Sequence, residues 1–361
     1  MEKPIIGNKR AFMTGNEVVA WAALAAEIDI MFGYPITPQN EIMHYWTRLA
    51  PKYNREFLQT EDEISAGFAV CGAILAGKRS FTATAGPGNT LMQEPFSMAE
   101  AMRLPLVAVI QQRGGPSSGT VIYSQQEVTL TCKGGNGEGH RIVYSTCSHQ
   151  ELYDYVLKAF NTAWNYRFPT FVLGDGYQAK MREPVELYDP AERGVKVVTP
   201  EPFIGKSGKI GVDRESVHLC NIYSMEEELF EVVQKFQADF DKMSPEVMES
   251  SCYGCEDADV VVVSHGVISR VADDAVKALR ADGYKVGYFR PITLSPFPTP
   301  HLLECIAKGA KKLLVVESAQ GQLLKLLREA IYGQTIPIDS LLKPGMGIMD
   351  TEIIDKVHSI L

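Results

Sequence analysis

Short unbroken apolar runs recur along the chain between longer stretches in which apolar side chains return every three or four positions. Runs of the first kind read as buried strands and stretches of the second as amphipathic helices. Through the first 180 residues the two alternate. Thr14 and Glu17 form a T-x-x-E capping box opening a helix with Val18, Val19, Ala22 and Ala26 on one side. Ile28 to Phe32 reads as a strand that ends at Gly33, and a helix follows Pro38. Residues 61–77 read as a helix with Ile64, Phe68, Cys71 and Leu75 on one stripe and Gly77 as its stop. Strands are expected at Ser80 to Ala85, Leu106 to Ile110, Ile142 to Tyr144 and Thr170 to Leu173. Helices are expected up to Arg103 and over 149–167, and a long polar loop follows Ile110. Such alternation predicts a parallel sheet covered by helices on both faces.

The pattern breaks over 184–257. Pro184, Pro190, Pro200, Pro202 and Gly205 precede a charged, helical and exposed stretch from Met225 to Lys242. Alternation resumes with Val260 to Val263, a helix bearing Ile268, Val271, Ala272, Ala275, Val276 and Leu279, and strands near 285–289, 312–316 and 335–339. The fold class expected is α/β with two parallel-sheet domains, 1–185 and 258–361, joined by a connector over 186–257.

Composition narrows the function. With 35 basic against 44 acidic residues, the net charge of −9 argues against general nucleic-acid binding, which needs a basic footprint. No apolar run approaches the ~18 residues of a membrane span. The start, MEKPIIGNKR, lacks the apolar core and cleavage site of a secretory leader, so the expected location is cytoplasmic. Among seven cysteines, Cys252 and Cys255 alone have metal-ligand spacing; a single C-x-x-C is a weak signal for zinc or redox use beside plain thiols at a domain boundary, and the chain lacks the clustered cysteines of an iron–sulfur site.

Ligands of open parallel sheets bind beyond the carboxyl ends of the strands, and four unusual segments fall there. Gly33 to Pro38 places Thr37 between two prolines, where it could donate its hydroxyl or cap the next helix. Glu61, Asp62 and Glu63 stand at a helix start, where acids suit the dipole. Glu63, next to the apolar stripe, is the acid aimed inward and the acid/base candidate. Thr82 to Asn89 is small and glycine-rich, so a bulky ligand could approach its backbone. Arg113, at the end of the most buried strand run, could clamp a carboxylate with two prongs. Gly115 to Gly119 satisfies the G-x-S-x-G hydrolase pattern around Ser117, but in a polar loop with no helix directly after it. Gly135 to Gly139 is glycine-rich without a strand leading in. Gly174-Asp175-Gly176 begins a motif by which thiamine diphosphate enzymes hold Mg²⁺, yet no Asn follows before Asn221 to complete it.

Taken together, GYPITP, EDEISAGFAVCGAILAG, TATAGPG, QRGGPSSG, KGGNGEGHR, AFNTAW with PTFVLGDG, FRPITLSPFP and VESAQGQL resemble, in order and over nearly the whole chain, the alpha subunit of 2-oxoacid:ferredoxin oxidoreductases. The 2-oxoglutarate and branched-chain members are the nearest. The resemblance implies a thiamine diphosphate pyrimidine-binding domain followed by a transketolase C-terminal-like domain. It implies oxidative decarboxylation of a 2-oxoacid to acyl-CoA and CO₂ with reduction of ferredoxin. Glu63 would bond the aminopyrimidine ring nitrogen, Thr37 and Arg113 would hold the substrate carboxylate, and Gly86, Pro87 and Gly88 would pack on the cofactor. A partner beta subunit would carry the Mg²⁺–pyrophosphate half-site and a 4Fe–4S cluster, with gamma and ferredoxin-like delta subunits as further partners. One departure stands out: the loop reads GGPSSGTVI, where many relatives continue with Thr-Gly and a proline. A distal substrate carboxylate would need a second cation, for which Lys133, His140 and Arg141 are candidates. The alternatives are the beta chain of a lipoamide-linked 2-oxoacid dehydrogenase and a non-catalytic subunit of the same fold.

Overall fold

The computed structural model describes residues 9–204 and 217–361. Residues 1–8, on which most of the leader reading rests, and Gly205 of the connector lie outside the described residues. The strands are β1 (Lys9–Thr14), β2 (Ile30–Gly33), β3 (Glu56–Gln59), β4 (Ser80–Thr84), β5 (Val107–Gln112), β6 (Ile142–Ser145), β7 (Thr170–Asp175), β8 (Arg182–Leu187), β9 (Ser250–Tyr253), β10 (Val260–Val263), β11 (Val286–Pro291), β12 (Thr293–Ser295), β13 (Lys312–Glu317) and β14 (Ile338–Leu342). Seven of them form one sheet in the order β12-β6-β7-β5-β4-β2-β3, parallel except for β12. Five form a second, β14-β13-β10-β11-β9, parallel except for β9. The ribbon β1-β8 is separate.

Successive strand side chains point to opposite faces, and the larger sheet buries both. Phe81, Ala83, Val107, Val109 and Val172 pack into a core with helices Gly15–Ala25 and His149–Tyr166. Their neighbours Ala108, Ile110, Phe171 and Leu173 enter another core with helices Glu63–Leu75 and Gln93–Ala101. That second core continues without a break into Val261, Val263, Phe289, Leu313 and Val315 of the smaller sheet. The doubly covered parallel architecture expected from the sequence is present.

Two motifs turn out to join the sheets. In FRPITLSPFP, Arg290 donates to both carboxylate oxygens of Glu151, at 2.8 and 2.6 Å, and Thr293–Ser295 crosses over to become the antiparallel edge of the larger sheet. In VESAQGQL, Glu317 accepts from the backbone N–H groups of Gln322, Leu323 and Leu324, fixing the start of helix Gln322–Ala330. Ser318 and Gln125 exchange hydrogen bonds, Ser318 N–H to the side-chain Oε1 of Gln125 at 2.9 Å and the Gln125 backbone N–H to the Ser318 carbonyl at 3.0 Å. The loop after β5 is thereby moored to the smaller sheet.

Several local expectations are corrected. The buried stripe of helix Glu63–Leu75 is Glu63, Ala66, Gly67, Val70, Cys71 and Ile74, one position before the stripe read from Ile64. Thr37 is not a helix cap, because helix Asn40–Leu49 begins after Gln39 without a side-chain cap bond. The polar loop after β5 contains a buried-sided helix, Val128–Lys133. Glu226–Val247 is helical and mostly exposed, as expected, but Met243 and Val247 at its end pack on Ile142, Tyr144 and Phe168.

Candidate active site

The carboxyl ends of β2, β3, β4 and β5 bring Thr37, Glu63, the Gly86–Gly88 turn and Arg113 together. Asp62 caps helix Glu63–Leu75 by accepting the Ser65 N–H at 2.7 Å, which aims the next residue inward at the first buried position. Glu63 is 5% exposed. Burial raises its pKa above the ordinary carboxylate range, the neighbouring Asp62 adds to the rise, and the Arg113 charge partly offsets it.

Glycine is required where the turn meets these groups. A Cβ on Gly88 would lie 2.2 Å from Thr84 Oγ1 and 2.7 Å from Glu63 Oε1. Gly86 has φ +52°, and its Cβ would lie 2.5 Å from Arg113 Nε. Pro87 opens the short helix Pro87–Leu91, where its missing N–H costs nothing. The turn is therefore a close cradle bounded by an acid on one side and a guanidinium on the other.

Arg113 is 6% exposed and donates through Nη1 to the Thr37 carbonyl at 2.8 Å, while its buried Nε has no hydrogen-bond partner. The GYPITP loop is fixed at its ends. Asn16 donates to the Pro38 carbonyl at 2.7 Å, and Gln39 to the Tyr34 carbonyl at 3.0 Å. Thr37 and Arg113 thus form one unit, joined through the Thr37 backbone.

Sequence reasoning missed Glu127, which organises this unit. Its Oε1 accepts from Gly86 N–H at 2.7 Å and Asn89 Nδ2 at 3.2 Å, and its Oε2 from Arg113 N–H at 2.9 Å. Burial pushes its pKa up to about 7 against these three donors. No local pattern points to Glu127, since Gly86 is 41 positions away along the chain and only the folded sheet brings them together.

The other candidates lie elsewhere. Arg141 is buried in an ion pair with Glu100, Lys133 pairs with Glu329 at 2.9 Å, and His140 stacks on Phe240. Asp175 accepts from the N–H groups of Tyr177 and Gln178 and caps helix Gly176–Lys180. Ser117 is exposed at φ +53°, and the next helix starts only at Val128, so the hydrolase elbow is not formed.

Leu58 on β3, Leu91 after β4, Val121 and Ile122 after β5 and Tyr177 after β7 are exposed apolar side chains.

Residues 21–251 match the family model described as pyruvate flavodoxin/ferredoxin oxidoreductase, thiamine diphosphate-binding, and residues 258–352 match pyruvate:ferredoxin oxidoreductase core domain II. The chain is 37% identical over 346 residues to ketoisovalerate oxidoreductase subunit VorB of Methanothermobacter marburgensis, covering 95% of this chain and 92% of that one. It is 36% identical to 2-oxoglutarate synthase subunit KorA of Methanocaldococcus jannaschii, covering 87% and 90%. Its fold superposes with TM-score 0.84 and 27% identity on the Magnetococcus marinus 2-oxoglutarate:ferredoxin oxidoreductase, solved with 2-oxoglutarate, coenzyme A and succinyl-CoA bound. That match covers 97% of this chain but 65% of the longer one. A split-gene transketolase, at 14% identity and TM-score 0.59, shares the fold.

Proposed function

The chain belongs to the pyruvate flavodoxin/ferredoxin oxidoreductase family, as a subunit of a 2-oxoacid:ferredoxin oxidoreductase, and we propose that it supplies the pyrimidine side of a thiamine diphosphate site completed by a partner beta subunit. The observation that carries this reading is the buried Glu63 carboxyl against a cradle that a single methyl group would fill. Thiamine diphosphate, when bound, supplies the nucleophilic carbon and the electron sink for 2-oxoacid decarboxylation.

The residues suit that group. Glu63, its pKa raised by burial, holds a proton at the aminopyrimidine ring nitrogen, as general acid–base catalysis requires. Gly86, Pro87 and Gly88 let the ring approach the backbone. Arg113, with a free buried Nε, and Thr37, with its hydroxyl, orient the substrate carboxylate. Glu127 holds the cradle and the clamp in register through both of its oxygens.

Asp175, the one acid of the truncated metal motif, is committed to capping a helix, which supports a reading in which the partner holds Mg²⁺ and pyrophosphate. The partner also carries the 4Fe–4S cluster in this proposal, and exposed Leu91, Val121 and Ile122 are candidate contacts for it. Gamma and ferredoxin-like delta subunits complete the assembly, and ferredoxin accepts the electrons. The location is cytoplasmic, in keeping with cysteines that are all free.

The substrate is a branched-chain 2-oxoacid or 2-oxoglutarate, the classes named for the relatives. Arg141 is buried in its pair with Glu100, which argues against it as the cation for a distal carboxylate, whereas Lys133 only pairs with Glu329 at the surface. A 2-oxoglutarate reading therefore takes that cation from Lys133, from another residue or from the partner. Turnover of the assembled complex on a panel of 2-oxoacids decides between the two. In the same assay Glu63→Gln should lower turnover by about 10²–10⁴-fold with assembly intact. Near-normal turnover would remove Glu63 from the mechanism.

A further inference from the structure

The KGGNGEGHR segment contributes nothing directly to the cradle, yet its arginine is wired to it. Arg141 is 1% exposed and pairs with the Glu100 carboxylate through Nε and Nη2. Its Nη1 donates to Gln93 Oε1 at 2.8 Å. Gln93 Nε2 donates to Asn89 Oδ1 at 2.9 Å and to the Asn89 carbonyl at 2.8 Å. Asn89, fully buried, donates through Nδ2 to Glu127 Oε1 at 3.2 Å, the same oxygen that accepts the Gly86 N–H. An unbroken run of hydrogen bonds thus links a buried guanidinium to the carboxylate that holds the cradle.

Every link points the same way, and chemistry fixes that direction. A guanidinium only donates. Gln93 must therefore offer its carbonyl oxygen to Arg141, which turns its NH₂ toward Asn89. Asn89 must then offer Oδ1 to Gln93, which turns its own NH₂ toward Glu127. The positive charge at one end orients both amides and polarises them, so that the far one donates more strongly to the carboxylate. The glycines of the segment let its backbone close over the charged end. A Cβ on Gly134 would lie 2.2 Å from Gln93 Oε1, and one on Gly139 would lie 2.4 Å from Glu100 Oε2.

We propose that Gln93 and Arg141 are positioning residues of this active site, acting through Asn89 to orient the Glu127 oxygen that carries the Gly86 turn. This rests on the role of Glu127 proposed above and names the residues that keep that oxygen an acceptor. Only Oε1 lies on the relay, since Oε2 serves the Arg113 N–H. A broken relay should therefore loosen the cofactor turn and slow the chemical step. The substrate clamp, read as KM for the 2-oxoacid, should stay nearly as it was.

Gln93→Glu separates this from a merely structural role. It keeps the oxygen that Arg141 needs and removes the NH₂ that Asn89 needs. The assembled complex is assayed, with rates normalised to bound thiamine diphosphate. Gln93→Glu should lower kcat about tenfold, less than the roughly 10²-fold of a 1 Å displacement at the chemistry, with KM for the 2-oxoacid changing less than about twofold. An undiminished kcat would show that Gln93 only anchors Arg141 beneath the glycine loop, and would overturn the proposal. Where that variant does not assemble, Gln93→Met, Asn89→Leu and their double variant carry the test. The double should match Asn89→Leu alone, because Gln93 acts through Asn89; losses that multiply would overturn the proposal. Glu127→Gln, run beside them, separates the two levels. An undiminished kcat there removes the role of Glu127 and the relay with it, whereas a loss there beside an unaltered Gln93→Glu removes the relay alone.

Discussion

Arg113 and Thr37 act together through the bond from Arg113 Nη1 to the Thr37 carbonyl. Removing one partner of a buried charged pair costs about 2–5 kcal/mol, mostly through the group left unpaired. Arg113→Ala should therefore weaken 2-oxoacid use by that amount, and Arg113→Lys should restore part of it, since a lysine cannot copy the fork. Thr37→Val keeps the carbonyl that Arg113 uses and deletes only the hydroxyl. Its effect should be smaller, about 1.5–3 kcal/mol. Steady-state kinetics beside a cofactor titration measures both, and cofactor binding should survive in all three variants. An unchanged KM and kcat in Arg113→Ala would show that the guanidinium serves the fold alone. Glu127 is testable by pH. Its folded pKa of about 7 exceeds the ordinary 4.5, so its contribution to stability is complete below pH 4.5 and is lost as pH rises through 7. Glu127→Gln cannot titrate, so the chain should lose less stability between pH 4.5 and 7 than the parent does, by an amount on the order of 3 kcal/mol. Equal slopes in urea unfolding across that window would contradict the assignment.

At the scale of elements, the cradle depends on backbone with no room for a side chain. Gly88→Ala places a methyl group on Thr84 Oγ1 and Glu63 Oε1. Displacing a catalytic group by about 1 Å can cost roughly 10²-fold, so kcat should fall by that order while helix content by circular dichroism stays unchanged. Unaltered kcat would mean that Glu63 tolerates displacement and is not a positioned acid. The same elements show what could be read in advance. The central strands β5, β7, β10 and β13 were legible because both of their faces are buried and each holds a run of three or more consecutive apolar residues, and β4, Ser-Phe-Thr-Ala-Thr, because a glycine-rich turn ends it. Three of the four edges were not: β3 is Glu56-Phe57-Leu58-Gln59, β9 is Ser250-Ser251-Cys252-Tyr253, and β12 is three residues long. Such strands are specified by the neighbour they pair with rather than by their own pattern. The Ile64 stripe was misread by one position because helix Glu63–Leu75 is apolar on nearly every side, so periodicity could not set its phase; its polar first residue, Glu63, belongs to the buried face. The proximity of Thr37, Glu63 and Arg113 could be anticipated from segments that follow strand ends, whereas the place of Glu127 beside them, in a segment with no strand or helix signal, depends on the pairing of β4 with β5.

At the scale of the molecule, the two sheets are joined by side chains of the motifs themselves. Arg290 reaches across from β11 to Glu151 and to the Ser145 carbonyl. Glu151 is held below its ordinary pKa by that guanidinium, against the opposing effect of burial. Breaking a buried pair from one side costs about 3–5 kcal/mol, so Glu151→Gln, which strands Arg290, should lower the urea midpoint by that equivalent. The midpoint of an otherwise identical chain staying in place would show that the sheets hold together by their shared apolar core alone. The loop carrying Arg113 and Glu127 is tied to the same junction through Gln125 and Ser318, so the smaller sheet helps position the active site without contributing an acid to it. In the proposed division the remaining half of that site belongs to a partner subunit. Calorimetric titration of thiamine diphosphate with Mg²⁺ into the isolated chain and into the assembled complex tests it most directly. The complex should bind tightly and the isolated chain should show no saturable heat; tight, Mg²⁺-dependent binding by the chain alone would contradict the shared site.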